Sequence, residues 1–242
     1  MLACNQKGTL RGIMLDEIHL YTKHGLSFRE EIRILRDEFF EPIFGQDSSE
    51  NNKPLVIGST ATGPNHILEG LSSLTHIDWT DPCHQMRSSM VDFRQRYIKM
   101  SIDINGSLGK EGYPFLIRLL KADPDAHTCI FVNFIKECGD CTKNVEDQLA
   151  ENGLDVDVIT ITGKLEKDDK FGLVRIFTGS LTCEGAHPQI LIGTGAVNTG
   201  IDQRLVKLVL RVGIPRCLET FFQERGRCSR DQELGTFLLC TD

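Results

Sequence analysis

The chain has 242 residues, 40% of them apolar and 25% charged, which supports a packed core and excludes a disordered tail or linker. Its net charge of −7 argues against a basic nucleic-acid-binding module, though not against a motor that grips phosphates through backbone N–H groups and a few side chains. No apolar run approaches the roughly 18 residues of a membrane span and no signal sequence opens the chain, which points to an intracellular protein with no membrane partner. The nine cysteines are odd in number and scattered, so free thiols are expected. Cys138 and Cys141 form one C-x-x-C without a second ligand pair, which reads as structural and not as zinc-binding.

Short apolar runs alternate with amphipathic segments, the mark of an α/β layered fold. Gly12–Leu15 reads as a buried strand ending at Asp16-Glu17. Ser27 and Glu30 form a capping box for a helix that carries Ile32, Leu35 and Phe39. Leu55–Gly58 is a second strand, ending at Ser59-Thr60-Ala61-Thr62. A short helix through Ile67–Leu71 comes next, and His76–Trp79 reads as a further strand. Arg94–Asn105 alternates like a strand leading out of the first domain, which places a boundary near Asn105–Gly112.

The second unit opens with a helix at Tyr113–Leu120. Strand Thr128–Asn133, helix Thr142–Asn152, strand Asp155–Thr160 and helix Lys167–Phe177 come after it. Strands Gln189–Gly193 and Leu205–Val212, helix Leu218–Arg225 and strand Thr236–Cys240 complete it. Polar residues gather where strands end, where open parallel sheets bind their ligands.

Asp16 at a strand end suits magnesium, and Glu17 beside it can polarise water. An isolated Asp-Glu pair reads equally well as solvated carboxylates. The neighbouring residues narrow the choice. Asp16-Glu17-Ile18-His19 is a DExH box, and Ser59-Thr60-Ala61-Thr62 stands at the next strand end. This order and spacing resemble motifs II and III of superfamily 2 helicases.

The segment after the box keeps His24-Gly25 and Phe28-Arg29 and resembles the loop that senses single-stranded DNA in RecQ helicases, with His24 replacing its tryptophan. Tyr21, His24 and Phe28 are candidate base-stacking groups, and Phe28 reads equally well as core. Ile190–Thr194 with Gly200-Ile201-Asp202 resembles motif V. Ile214-Pro215-Arg216 through Gln223-Glu224-Arg225-Gly226-Arg227-Cys228-Ser229-Arg230-Asp231 resembles the RecQ arginine segment nearly residue for residue, with Ser229 in place of a glycine.

The resemblance implies two RecA-like parallel-sheet units, the first truncated at its N-terminus. Residues 1–105 would be the C-terminal part of helicase domain 1, and residues 106–242 helicase domain 2. It implies an ATP-dependent 3′–5′ DNA helicase acting in repair or recombination, nuclear if the source is eukaryotic, with single-stranded or tailed duplex DNA as partner. ATP and Mg²⁺ would be the cofactors. Asp16, Glu17, Arg227 and Arg230 would be catalytic, with magnesium on Asp16. His19, Gly200, Asp202 and Gln223 would join Asp16 and the arginines around the nucleotide. His24, Phe28, Arg29, Ser59, Thr60, Thr62 and Thr194 would couple nucleotide state to the strand. Arg227 and Arg230, three apart on a helix end, would face one interdomain cleft.

One helicase part does not occur in these 242 residues: a G-x-x-x-x-G-K-[S/T] loop to cradle the β- and γ-phosphates. Gly106-Ser107-Leu108-Gly109-Lys110 lacks its spacing. The chain by itself is therefore expected not to hydrolyse ATP appreciably. A non-catalytic helicase-like nucleic-acid-binding module and a superfamily 2 RNA helicase are the alternatives.

Overall fold

A computed structural model describes residues 10–23, 30–45, 53–60, 65–85, 98–103, 112–181, 188–197 and 203–241. The chain divides into two compact units, 1–89 and 90–242.

In the first unit, β1 (Gly12–Leu15) and β2 (Leu55–Gly58) pair in parallel with Gly12 opposite Leu55 and Leu15 opposite Gly58. Around them lie α1 (His19–Lys23), α2 (Glu30–Leu35), a π-helical turn (Arg36–Phe40), α3 (Glu41–Phe44) and α4 (Asn65–Thr75). Leu15, Ile18, Phe39, Phe40, Ile67 and Leu71 form its core.

His76–Trp79 is not a strand. His76 takes a left-handed backbone (φ 58°) that stops α4, and the chain folds back on that helix. The Trp79 backbone N–H donates to Ser72 Oγ (3.0 Å) and its indole to Thr75 Oγ1 (2.8 Å). Side-chain acceptors thus take the donors a neighbouring strand would have used.

The second unit is a six-stranded, all-parallel sheet. Its strands are β3 (Ile98–Asp103), β4 (His127–Phe131), β5 (Asp157–Ile161), β6 (Pro188–Gly193), β7 (Val206–Val212) and β8 (Gly235–Cys240), in spatial order β3-β8-β7-β4-β6-β5. β3 pairs with β8 from Ile98–Gly235 to Asp103–Cys240, so it belongs to this sheet. The division near Ser89/Met90 therefore corrects the boundary expected near Asn105–Gly112.

Helices α5 (Tyr113–Ala122), α6 (Ile135–Glu151), α7 (Lys167–Phe177) and α8 (Leu218–Arg225) connect the strands. Alternate strand residues feed opposite faces, as a two-residue period requires. Ile130, Ile192, Leu208 and Leu210 pack with α5 and α6, while Cys129, Leu191, Val209 and Phe237 pack with Phe177 and Phe221. α6 begins seven residues before the position expected from the sequence. Glu137 Oε2 accepts from the N–H groups of Asn133 (2.9 Å) and Phe134 (3.0 Å) and so anchors the first turn. Cys138 and Cys141 lie on α6 in the core, and burial pushes the Cys141 thiol up to about 12. Both pack there as small apolar side chains.

Candidate nucleotide site

Asp16 stands at the carboxyl end of β1, beside the end of β2. Ser59 Oγ donates to Asp16 Oδ1 (2.7 Å), and the Glu17 N–H donates to the same oxygen (2.9 Å). The Ser59 N–H donates to the Leu15 carbonyl (2.8 Å), and the Ile18 N–H to that of Ser59 (3.0 Å). These bonds continue the ladder one step past the strands and fix the carboxylate. Asp16 is exposed and, among the described residues, bonds through Oδ1, and its second oxygen is a hard donor of the kind Mg²⁺ accepts alongside nucleotide phosphates. The donor set therefore fits a nucleotide-borne magnesium ion, which would neutralise phosphate charge at Asp16.

Glu17 has a left-handed backbone (φ 50°), a strained conformation for a side chain of its size. It turns the chain from β1 into α1 and leaves the Glu17 side chain 46% exposed. His19 is only 1% exposed. Its Nδ1 lies 2.9 Å from Thr60 Oγ1 and 3.3 Å from Glu17 Oε2, so one imidazole links the acidic turn to the second strand end. The expected coupling residues Ser59 and Thr60 thus meet the expected Asp16 and His19. Gly58 makes the fit possible, since a Cβ there would lie 2.8 Å from the Trp79 ring and 2.9 Å from Ile18 Cγ2. His24, Phe28, Arg29 and Thr62 lie outside the described residues.

The arginine segment comes after α8, whose Phe221 packs on Phe237 in an edge-to-face contact (5.2 Å between ring centroids). α8 ends at Arg225 and Gly226 caps it, so Arg227 and Arg230 lie on the turn that follows the helix end. Ser229, also left-handed (φ 57°), makes that turn, with its N–H donating to the Val206 carbonyl (3.0 Å). This is a conformation glycine adopts without steric cost. Arg230 Nε donates to the Gly226 carbonyl (3.4 Å). Gln223, Arg227 and Arg230 are all half-buried. Thr194 directly succeeds β6 and opens a short 3₁₀ turn, while Gly200 and Asp202 lie outside the described residues.

Two cations in β7 were not anticipated. Lys207 and Arg211 sit in a central strand whose other residues are apolar and, up to Leu210, buried. Arg211 Nε lies 3.3 Å from Glu224 Oε2, with the two side chains 2% and 0% exposed. Arg211 also donates to Asn133 Oδ1, and Asn133 Nδ2 to the Ile214 carbonyl (3.2 Å). Burial lowers the Arg211 pKa, and the Glu224 carboxylate pulls it back up. Lys207 donates to Asp231 Oδ2 (2.5 Å) and to Glu233. The sequence signal for this was legible. Charges do not stay buried unpaired, and two at a spacing of four in one strand require partners on one face.

Residues 111–232 match the family model of the helicase conserved C-terminal domain. The chain belongs to that family. It is 22% identical to a putative ATP-dependent DNA helicase Q1 of Caenorhabditis elegans over 96% of its own length and 33% of that protein's. It is 23% identical to an ATP-dependent DNA helicase Q-like 2 of Arabidopsis thaliana, over 94% of its length and 29% of the relative's. The helicase chain thus spans about a third of the length of these relatives, and its resemblance to RecQ-type proteins runs through nearly all of it.

Among solved structures, S. cerevisiae Dbp5 bound to RNA and ADP BeF3 superposes with a TM-score of 0.64 at 15% identity, covering 96% of this chain and 53% of that one. Mycobacterium smegmatis helicase Lhr bound to ssDNA and AMP-PNP gives 0.62 at 16%, covering 99% and 30%. At these identities the likeness is one of fold: the parallel α/β architecture of helicase domains. Membership carries the general helicase and ATPase class.

Proposed function

We propose that the helicase chain is part of an ATP-dependent 3′–5′ DNA helicase of RecQ type. The observation that carries this reading is the bonding of Asp16 to Ser59 and of His19 to Thr60. It ties the acidic strand end, where magnesium and the attacking water would be handled, to the Ser-Thr strand end that would report nucleotide state. In this reading Asp16 holds Mg²⁺, Glu17 polarises water, and Arg227 and Arg230 answer charge on the transferred phosphate. Gln223, Gly200 and Asp202 line the nucleotide. His24, Phe28, Arg29, Thr62 and Thr194 pass its state to single-stranded or tailed duplex DNA. An arginine at the γ-phosphate contributes about 10³-fold or more to the rate in such motors.

The relatives named above are DNA helicases by name, which supports DNA over RNA as the strand. A role in DNA repair or recombination, in the nucleus of a eukaryote, fits the same reading. The test is strand separation with ATP and Mg²⁺. The full-length protein should unwind a 3′-tailed DNA duplex and Glu17→Gln should abolish it; unwinding of an RNA duplex while tailed DNA is ignored would refute the assignment.

A second reading has one specific observation in its favour: no G-x-x-x-x-G-K-[S/T] loop occurs in these 242 residues. On that reading the chain binds nucleic acid and does not turn over ATP by itself. DNA-stimulated hydrolysis by purified 1–242, lost in Glu17→Gln, would overturn it.

A further inference from the structure

We propose that Lys207 and Arg211 are positioning residues that hold the Arg227–Arg230 turn in place from beneath. This inference rests on the reading of those two arginines as the groups that answer phosphate charge. Lys207, Val209 and Arg211 alternate along β7 and so share one face of the sheet, where Val209 packs in the same cluster as Cys228 and Phe221. Arg211 takes hold of Glu224, three residues before Arg227. Lys207 takes hold of Asp231 and Glu233, just after Arg230. The turn carrying both arginines is therefore gripped on each side by one strand.

Between the grips, the Ser229 N–H bonds the Val206 carbonyl (3.0 Å), and the buried Cys228 thiol donates to the Lys207 carbonyl (3.6 Å). β7 has strands on both sides, so it cannot shift without moving the sheet. Gly213 (φ 72°) lets the strand end turn against Asn133, where a Cβ would lie 2.8 Å from Nδ2. Asn133 in turn accepts from Arg211.

A plain fold anchor and a positioning device differ in what survives when the charges are removed together. A buried ion pair replaced on both sides by apolar groups of similar volume leaves stability nearly unchanged, whereas removal of one partner strands a charge. The double variant Arg211→Met/Glu224→Leu therefore keeps the sheet and loses the grip. Active-site geometry tolerates only about half an ångström of slack, and about 1 Å can cost up to 10²-fold.

The experiment combines hydrogen exchange over residues 226–233 with binding of inorganic tripolyphosphate by calorimetry. It is run on the full chain and on Arg211→Met/Glu224→Leu, Lys207→Met and Arg227→Ala/Arg230→Ala. The expected result for the first double variant is at least tenfold faster exchange in the turn, an unchanged sheet, and roughly tenfold weaker tripolyphosphate binding. Lys207→Met leaves Glu233 exposed and Asp231 18% exposed, so neither carboxylate is stranded without water, and it should give the same pattern on a smaller scale if the double variant does not fold. Unchanged exchange in the turn overturns the inference. So does faster exchange with undiminished binding while Arg227→Ala/Arg230→Ala weakens it. If Arg227→Ala/Arg230→Ala itself binds as the unaltered chain does, the reading of the arginines fails, and the grip is then a fold anchor only.

Discussion

Gly58→Ala tests how the acidic turn is packed. The new Cβ would meet Trp79 Cζ3 at 2.8 Å, Ile18 Cγ2 at 2.9 Å and Trp79 Cη2 at 3.0 Å. Carbon atoms settle at about 3.5–4.0 Å, so the indole must retreat by roughly 0.7 Å or more. It is not free to do so, because its N–H donates to Thr75 Oγ1, its backbone N–H is held by Ser72, and Gln85 donates to its carbonyl (2.8 Å). Overpacking of this kind costs about 1–3 kcal/mol. A loosened indole bond to the buried Thr75 would bring the total towards the upper end.

Trp79 is the single tryptophan and lies in the first unit, so its fluorescence reports that unit's unfolding in urea directly. With a slope of about 1–3 kcal/mol/M, the midpoint should fall by about 1 M and the native emission should shift to the red. Because Ile18 lies between Glu17 and His19, the His19–Thr60 bond should weaken as well. An unchanged midpoint with unchanged emission would refute this packing.

Gly172→Ala, in α7 with nothing within 4 Å of the new Cβ, should instead stabilise the second unit by about 0.5–1 kcal/mol, read by circular dichroism. Glu224→Gln abandons the Arg211 charge in the interior and should destabilise by about 3–5 kcal/mol, with the loss largely recovered in Arg211→Met/Glu224→Leu; additive losses would contradict the pairing. The Lys207 grip has a pH window. Burial acts to raise the Asp231 carboxyl, but Lys207 and the Glu233 N–H together more than offset this and hold it below its ordinary value, so its contribution is present above about pH 4 and lost as acid protonates it. Burial acts to lower the Lys207 ammonium, but Asp231 and Glu233 raise it on balance, so its contribution is present below about pH 10 and lost above. The melting temperature of Lys207→Met should therefore fall less steeply below pH 4 than that of the unaltered chain.

Much of the fold could be read from the residues. Lys167–Phe177 and Leu218–Arg225 are helices over the expected spans, because apolar spacing and chain breaks agree there. Asp16, Ser59 and Thr60 fall at strand ends because short apolar runs stop at them. The errors arise where a distant partner decides. Ile98–Asp103 alternates like any strand, and only its pairing with β8 shows which sheet it joins. His76–Trp79 has strand composition, but hydroxyls on α4 capture its donors. The Arg227–Arg230 turn leaves the helix at Gly226, and Ser229 reaches its left-handed conformation with the help of the Val206 carbonyl, a partner remote in sequence.

The proposed mechanism stands on Asp16 holding a magnesium-bound phosphate and on Arg227 and Arg230 answering phosphate charge. The affinity of the chain for magnesium ATP in the presence of single-stranded DNA addresses this, compared with Asp16→Asn, Arg227→Ala/Arg230→Ala and their combination. The account predicts that each weakens binding about tenfold or more. Equal affinity in all four proteins would contradict it.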